Sequence, residues 1–142
     1  MTTKQIELVT SSWKLVAAID PVIVGSMFYN RLAELSPDTR PMFGVTIAEQ
    51  SKKIITMLGY IISKLSNLDE IIDEVGKLAQ RHVHYGVKEE HYYSGGDALL
   101  WTLEKGLGEN WNEELKEAWC ICYSILSSAM IEAAGYIKRD AA

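Results

Sequence analysis

Apolar residues recur with helical spacing through nearly the whole chain, and this pattern constrains the fold more than any other feature. The first stripe consists of Ile6, Val9, Trp13 and Val16. No segment shows the two-residue alternation of a half-buried β-strand or a competing run of β-branched residues. The sequence therefore predicts an all-α fold, and its 142 residues suit one domain that spans residues 1–142.

Capping residues and glycines predict where several of six helices begin and end. Asp20 followed by Pro21 is a favoured start for the second helix. Thr46 begins a capping box that opens the third helix, and Asn67 is predicted to cap the fourth. Gly86 is a typical helix-ending glycine, so the fourth helix is expected to end just before it.

Composition argues against several classes of partner and site. The net charge of −5 disfavours nucleic acid and anionic membrane surfaces, which are bound by basic patches. No apolar run approaches the ~20 residues that span a bilayer, and the N-terminal segment lacks the apolar core of a secretory signal. Cys120 and Cys122 are two residues apart on a predicted helix and do not face each other. We therefore expect reduced thiols and a cytoplasmic protein.

All three histidines lie within the segment LAQRHVHYGVKEEHYY. His82 shares a helix face with the apolar residues Val75 and Leu78, whereas His84 and His91 are predicted to be solvated. A histidine on an apolar face is either a core residue bonded to a backbone carbonyl or a ligand. Spacing alone leaves both interpretations open for His82.

A single inward histidine restricts the chemistry that this chain can perform. A zinc site needs three or four protein ligands, and neither the cysteine spacing nor the acidic residues supply them near His82. The chain has no nucleophile elbow, and its SGGD segment lacks the lysine and strand of a phosphate loop. One imidazole can still ligate an iron that a heme already holds. Gln50, another polar residue on an apolar helix face, also suggests a partner inside the fold.

Several segments, in order and spacing, resemble the globin family over essentially the whole chain. RHVHYGV, HYYSGGDALLWTLEKGLG and EELKEAWCICY resemble the proximal half of a bacterial globin, and SMFYNRLAELSPDTRPMF and IAEQSKKIITMLGY resemble its distal half. The similarity is greatest to single-domain bacterial hemoglobins, to flavohemoglobin heme domains and to neuroglobin. The resemblance implies a globin fold, a three-over-three helical sandwich around heme b.

The resemblance also implies roles for individual residues. His82 matches the proximal iron ligand. The other matching residues are Phe43, which would stack on the heme, Lys53 near a propionate, Ile54 over the iron, Val87 in the proximal pocket, and the distal Tyr29 and Gln50. The two distal residues would donate hydrogen bonds to bound dioxygen and slow its escape, whereas bound carbon monoxide would gain less. Residues 1–81 contain no histidine, so a second, distal histidine ligand is not expected.

Two further features distinguish this chain within the resemblance. Tyr92 fits the tyrosine that orients the proximal histidine in flavohemoglobin-like globins, but Ala134 occupies the place of their glutamate, with Glu132 two residues away. This departure weakens the expectation of a strongly anionic imidazole. Gly25 and Ser51 are expected to let the second and third helices cross closely.

Three functions are compatible with these residues. Reversible binding of dioxygen for storage, delivery or scavenging is favoured, with nitric oxide and carbon monoxide as further ligands. The alternatives are nitric oxide dioxygenation or nitrite reduction with a separate reductase, and a heme-free sensor or interaction module with a globin fold. The chain is expected to be a monomer or a weak homodimer, for which Trp111 and residues 131–142 are candidate contacts.

Overall fold

The computed structural model describes residues 1–43 and 46–135, which are helical apart from short connections. The six α-helices within these ranges are α1 (Thr3–Ala17), α2 (Pro21–Leu35), α3 (Ile47–Ser63), α4 (Ile72–His84), α5 (Glu89–Leu107) and α6 (Glu113–Ala134). The same part of the chain contains three 3₁₀ helices, at Pro37–Phe43, Leu65–Ile71 and Gly108–Asn110. No strand occurs in the described residues, and the prediction of an all-α fold is confirmed.

Most of the predicted helix boundaries are confirmed by capping contacts. The Asp20 carboxylate accepts a hydrogen bond from the backbone N–H of Val22 at 2.9 Å, which caps α2. The Thr46 hydroxyl accepts one from the backbone N–H of Glu49 at 3.1 Å, which caps α3. Gly86 follows α4 with a φ of 93°, a conformation that glycine adopts at little cost.

The predicted start of the fourth helix is wrong. Asn67 does not cap it: this residue has φ −142° and ψ 52° and lies inside the 3₁₀ helix Leu65–Ile71. The helix α4 begins only at Ile72, without a side-chain cap. Leu65 and Ile71, at the two ends of the 3₁₀ segment, are both buried, so the connection is packed into the core as a tight turn.

The helices pack around a shared core, and most of them contact two or more others. α2 packs against α3 and α5, α4 packs against α6, and α1 contacts α3, α5 and α6. Trp13 and Trp119 pack together in the main core, with ring centroids 6.2 Å apart. The indole N–H of Trp119 donates to the hydroxyl of Ser12 at 2.9 Å, so the core satisfies two of its buried polar groups internally.

The close crossing of α2 and α3 at Gly25 and Ser51 is confirmed. A Cβ atom placed on Gly25 would overlap the Cα and Cβ atoms of Ser51. Ser51 is completely buried at this crossing. The approach of the two helices brings Tyr29 of α2 and Gln50 of α3 onto the wall of the same cavity.

The helices can be compared in length and hydropathy with a membrane-spanning helix. No single helix in residues 1–43 and 46–135 is long and apolar enough to cross a bilayer. α1 and α2 meet the length and composition only as a pair, and the chain bends by 110° between them.

Candidate functional site

A cavity of about 680 Å³ lies between the helices, within the size range of small-molecule and cofactor pockets. Its lining is mostly apolar and comes from α2 to α6 and the 3₁₀ helix Pro37–Phe43. The seven residues proposed from the sequence all line it: Tyr29, Phe43, Gln50, Lys53, Ile54, His82 and Val87. The fold thus brings together side chains that are up to 58 residues apart in the sequence, the separation of Tyr29 from Val87.

His82 contributes a neutral imidazole to the cavity wall. Its Nδ1 atom lies 2.8 Å from the carbonyl oxygen of Leu78, which can only accept, so Nδ1 carries the proton. Burial lowers the pKa of His82, and Arg81 lowers it further, against the opposing effect of the bond to Leu78. The neutral ring with a protonated Nδ1 leaves a lone pair on Nε2, which is the form that binds a metal.

Two tyrosine rings lie beside the His82 imidazole. The ring of Tyr92 is stacked on it, with centroids 6.3 Å apart and planes at 24°. The ring of Tyr85 is at the same centroid distance, but it is tilted by 54° and more than half exposed. At the end of α6, Ala134 is buried and Glu132 is exposed. Among the described residues, therefore, the group bonded to His82 Nδ1 is a backbone carbonyl and not a carboxylate.

Tyr29 and Gln50 supply polar groups to the cavity from α2 and α3. The Tyr29 ring packs against Phe43 at 4.8 Å and against Phe28 at 5.2 Å between centroids. Burial raises the pKa of Tyr29 from 10.0 to about 12, so its hydroxyl remains a hydrogen-bond donor at neutral pH. Gln50 is half-buried and lines the same cavity, and its side-chain amide offers N–H donors.

The charged side chains that line the cavity, Lys53 and Arg81, are both cations. Both are exposed, and no aspartate or glutamate is among the described lining residues. The chain as a whole carries a net charge of −5, so the positive charge at this cavity is a local feature. It would attract the carboxylates of a bound cofactor. Arg81 is not among the site residues predicted from the sequence. Its position next to His82 in the sequence could have indicated that it lines the same cavity.

The prediction that His91 is solvated is wrong. His91 is only 5% exposed and also lines the cavity. Its Nδ1 accepts a hydrogen bond from the backbone N–H of Lys88 at 2.9 Å, and its Nε2–H donates to Asp38 at 2.8 Å. The bond from His91 holds the pKa of the Asp38 carboxyl below its usual range. His91 thus ties the start of α5 to the 3₁₀ helix Pro37–Phe43, a contact that helical periodicity does not reveal.

Asp38, Glu90 and His91 also form a group with metal-binding spacing, since their ligand atoms lie within 4.8 Å of one another. The hydrogen bonds argue against a metal there. Because Nδ1 of His91 accepts from a backbone N–H, the ring proton is on Nε2, and Nε2 has no lone pair to offer. The group is therefore a structural contact, and His82 is the better candidate ligand.

The donor set of the cavity fits a heme. His82 offers one nitrogen lone pair, as an axial ligand must, and the surrounding wall is predominantly apolar. Lys53 and Arg81 offer positive charge that could pair with the carboxylates of a heme. Tyr29 and Gln50 offer hydrogen-bond donors.

The chain is similar in sequence and in fold to proteins named as globins and to a flavohemoprotein. It is 26% identical over 153 residues to neuroglobin of Chaenocephalus aceratus, covering 98% of this chain and 94% of that protein. It is 24% identical over 147 residues to a flavohemoprotein of Vibrio cholerae, covering all of this chain but 37% of that protein. The structure of a bacterial globin from Campylobacter jejuni superposes with a TM-score of 0.81 at 24% identity, over 97% of this chain and 99% of that one. The globin family model matches residues 26–130. This protein belongs to the globin family.

Proposed function

We propose that this protein binds dioxygen and other diatomic ligands reversibly through a heme b that His82 would hold by its iron. Membership of the globin family implies a heme cofactor. The observation that carries the proposal is the tautomer of His82: the bond from Nδ1 to the Leu78 carbonyl leaves the Nε2 lone pair available at the wall of a cofactor-sized cavity.

A bound heme would supply an iron that His82 could ligate and that could take up a small diatomic ligand. The Tyr29 hydroxyl and the Gln50 amide would donate hydrogen bonds to the ligand, each worth about 1.5–3 kcal/mol for an acceptor that carries charge. Phe43, Ile54 and Val87 would pack against the heme and exclude water. The lining of one cavity by all of these side chains supports these proposed roles.

Histidine placement supports an open position for the ligand. No histidine precedes His82 in the sequence. His84 is exposed, and both ring nitrogens of His91 are engaged by Lys88 and Asp38. Neither of the other two histidines is therefore available as a second ligand for the iron. Lys53 and Arg81 are the candidate partners of the heme propionates.

Absorption spectroscopy tests the proposal directly. The protein, as isolated or reconstituted with hemin, is expected to show an intense Soret band that shifts on reduction and shifts again with oxygen. The variant His82→Ala should lose this response, whereas His84→Ala, two residues away on the same helix and exposed, should retain it. The absence of a Soret band after hemin addition would overturn the proposal and favour the heme-free sensor or interaction module.

Nitric oxide dioxygenation is the second candidate, favoured by the similarity of the whole chain to part of a flavohemoprotein. The reaction combines dioxygen, nitric oxide and one electron to give nitrate, so repeated turnover would need a separate electron donor. The buried Ala134 at the position of the flavohemoglobin glutamate argues for simple binding. Nitrate yield per heme, with and without a flavin reductase, distinguishes the two: stoichiometric nitrate alone favours binding, and many turnovers favour the enzyme.

We also propose a cytoplasmic protein that is a monomer or a weak homodimer. Of the candidate contacts, Trp111 is half-buried. The C-terminal segment lies outside the described residues from position 136 onward. Sedimentation velocity over a range of concentrations would measure the oligomeric state.

A further inference from the structure

Tyr123 of α6 reaches across to α5 at the position of Tyr92. We propose that Tyr123 is a positioning residue for the proximal histidine, since it holds the Tyr92 backbone and thereby sets the Tyr92 ring against His82. This inference rests on the proposed function, because it takes His82 to be the heme ligand.

The contact between the two helices is a short hydrogen bond. The Tyr123 hydroxyl donates to the backbone carbonyl oxygen of Tyr92 at 2.7 Å. This carbonyl lies inside α5, where the backbone already offers a partner, so the tyrosine bonds to its second lone pair. Burial raises the pKa of Tyr123 well above its ordinary value of 10.0, so the donor stays protonated at neutral pH.

Two consecutive glycines of α5 make room for the Tyr123 side chain. A Cβ atom on Gly96 would lie 2.8 Å from Cε2 of the tyrosine ring, and one on Gly95 would lie 3.0 Å from its hydroxyl oxygen. A glycine in a helix interior costs about 0.5–1 kcal/mol relative to alanine. The close approach of Tyr123 gives a physical reason for the SGGD segment, which the phosphate-loop interpretation could not supply.

The backbone that Tyr123 holds belongs to the residue that packs on the proximal imidazole. Tyr92 is buried, and its ring is stacked on His82 at 6.3 Å. The hydrogen bond from His82 to Leu78 sets which nitrogen is protonated, but a single bond still allows the ring to rotate about it. With the carboxylate of the flavohemoglobin pattern replaced by Ala134, packing by Tyr92 is the remaining constraint on the ring that comes from another helix among the described contacts.

The variant Tyr123→Phe tests this role because it removes the hydroxyl and keeps the ring between the helices. The readout is the iron–histidine stretching band in the resonance Raman spectrum of the reduced, ligand-free holoprotein. We expect the band to shift and broaden, and hemin dissociation to accelerate by about threefold to tenfold, the factor for loss of one ordinary hydrogen bond. Tyr93→Phe is the control, since Tyr93 is next to Tyr92 on α5 and its side chain is 67% exposed.

The outcomes separate the inference from the function on which it rests. If wild-type protein takes up heme and Tyr123→Phe has the same band and hemin dissociation rate as wild type, the positioning role is wrong and the proposed function stands. If wild-type protein shows no iron–histidine band, both are overturned. Gly96→Ala disturbs the same contact from α5 and should also shift the band. If Tyr123→Phe does not give a folded holoprotein, the band of Gly96→Ala tests the positioning role of Tyr123 instead.

Discussion

The Nδ1 atom of His82 donates a hydrogen bond to the carbonyl oxygen of Leu78, 2.8 Å away and one turn earlier in α4. A single local contact therefore selects the tautomer of the candidate ligand, although the ring can still rotate about this bond. Donor and acceptor belong to the same helix, so this contact is local in the sequence. Tertiary contacts, above all the stacked Tyr92, then supply the remaining constraint.

Removal of the candidate ligand should abolish heme binding without unfolding the chain. We expect His82→Ala to lose most of its hemin affinity and to regain the Soret band when imidazole is added, since free imidazole can occupy the vacated space. Titration with hemin measures the loss. His84→Ala is the control, because this exposed neighbour should not affect the affinity. Normal loading of His82→Ala without imidazole would contradict the assignment.

Loss of the Tyr29 hydroxyl should weaken the retention of dioxygen. Tyr29→Phe is expected to raise the dissociation rate of dioxygen by about tenfold, corresponding to the lower part of the range for a hydrogen bond to a charged acceptor. Stopped-flow displacement of dioxygen by carbon monoxide measures this rate. Carbon monoxide dissociation should change much less, because that ligand is less polar when bound. An unchanged dioxygen rate would transfer the role to Gln50 or to water.

The titration of Tyr29 should also be visible at high pH. Because burial raises its pKa from 10.0 to about 12, the folded state holds this proton more tightly than the unfolded state. Stability should therefore decrease as pH rises from 10.0 towards about 12. Denaturant unfolding across this pH range should show a loss of stability that Tyr29→Phe lacks. Tyrosinate absorbance should likewise show one ionisation that is missing in this variant. Identical slopes for the two proteins would indicate that Tyr29 titrates as an exposed phenol.

The close crossing of α2 and α3 should not tolerate a methyl group at Gly25. Gly25→Ala is expected to destabilise the fold by about 1–3 kcal/mol, since its Cβ would overlap Ser51. Gly76→Ala in α4 is the matched control, because a Cβ there meets nothing within 4 Å. That substitution should stabilise the helix by about 0.5–1 kcal/mol. Urea unfolding measures both, and similar values for the two variants would contradict the packing argument.

The buried His91 should contribute to stability although the sequence predicts a surface residue. His91→Ala removes two hydrogen bonds and leaves the Lys88 N–H without its acceptor, for an expected loss of about 2 kcal/mol. The exposed His84→Ala should remain within about 0.5 kcal/mol of wild type. The free energy of unfolding in urea gives both values. Equal stability of the two variants would show that the bonds of His91 are not formed in solution.

Properties that depend on neighbours along one helix are predictable from the amino-acid sequence alone. The six helices follow from periodicity, and most boundaries follow from caps such as Asp20 and stops such as Gly86. The inward position of His82 and the outward position of His84 follow from the 3.6-residue repeat. The resemblance to globins, which rests on ordered motifs, adds six further residues that lie on the wall of the same cavity as His82.

Contacts between distant segments lie beyond such local rules. His91 is buried and bonds to Asp38, 53 residues away, and Asn67 lies in a tight turn between the buried Leu65 and Ile71 and not at a helix cap. The bond between Tyr123 and Tyr92 likewise joins helices whose spacing no sequence repeat encodes. Periodicity reports which face of a helix is apolar, whereas the partner of a polar atom depends on how the helices pack.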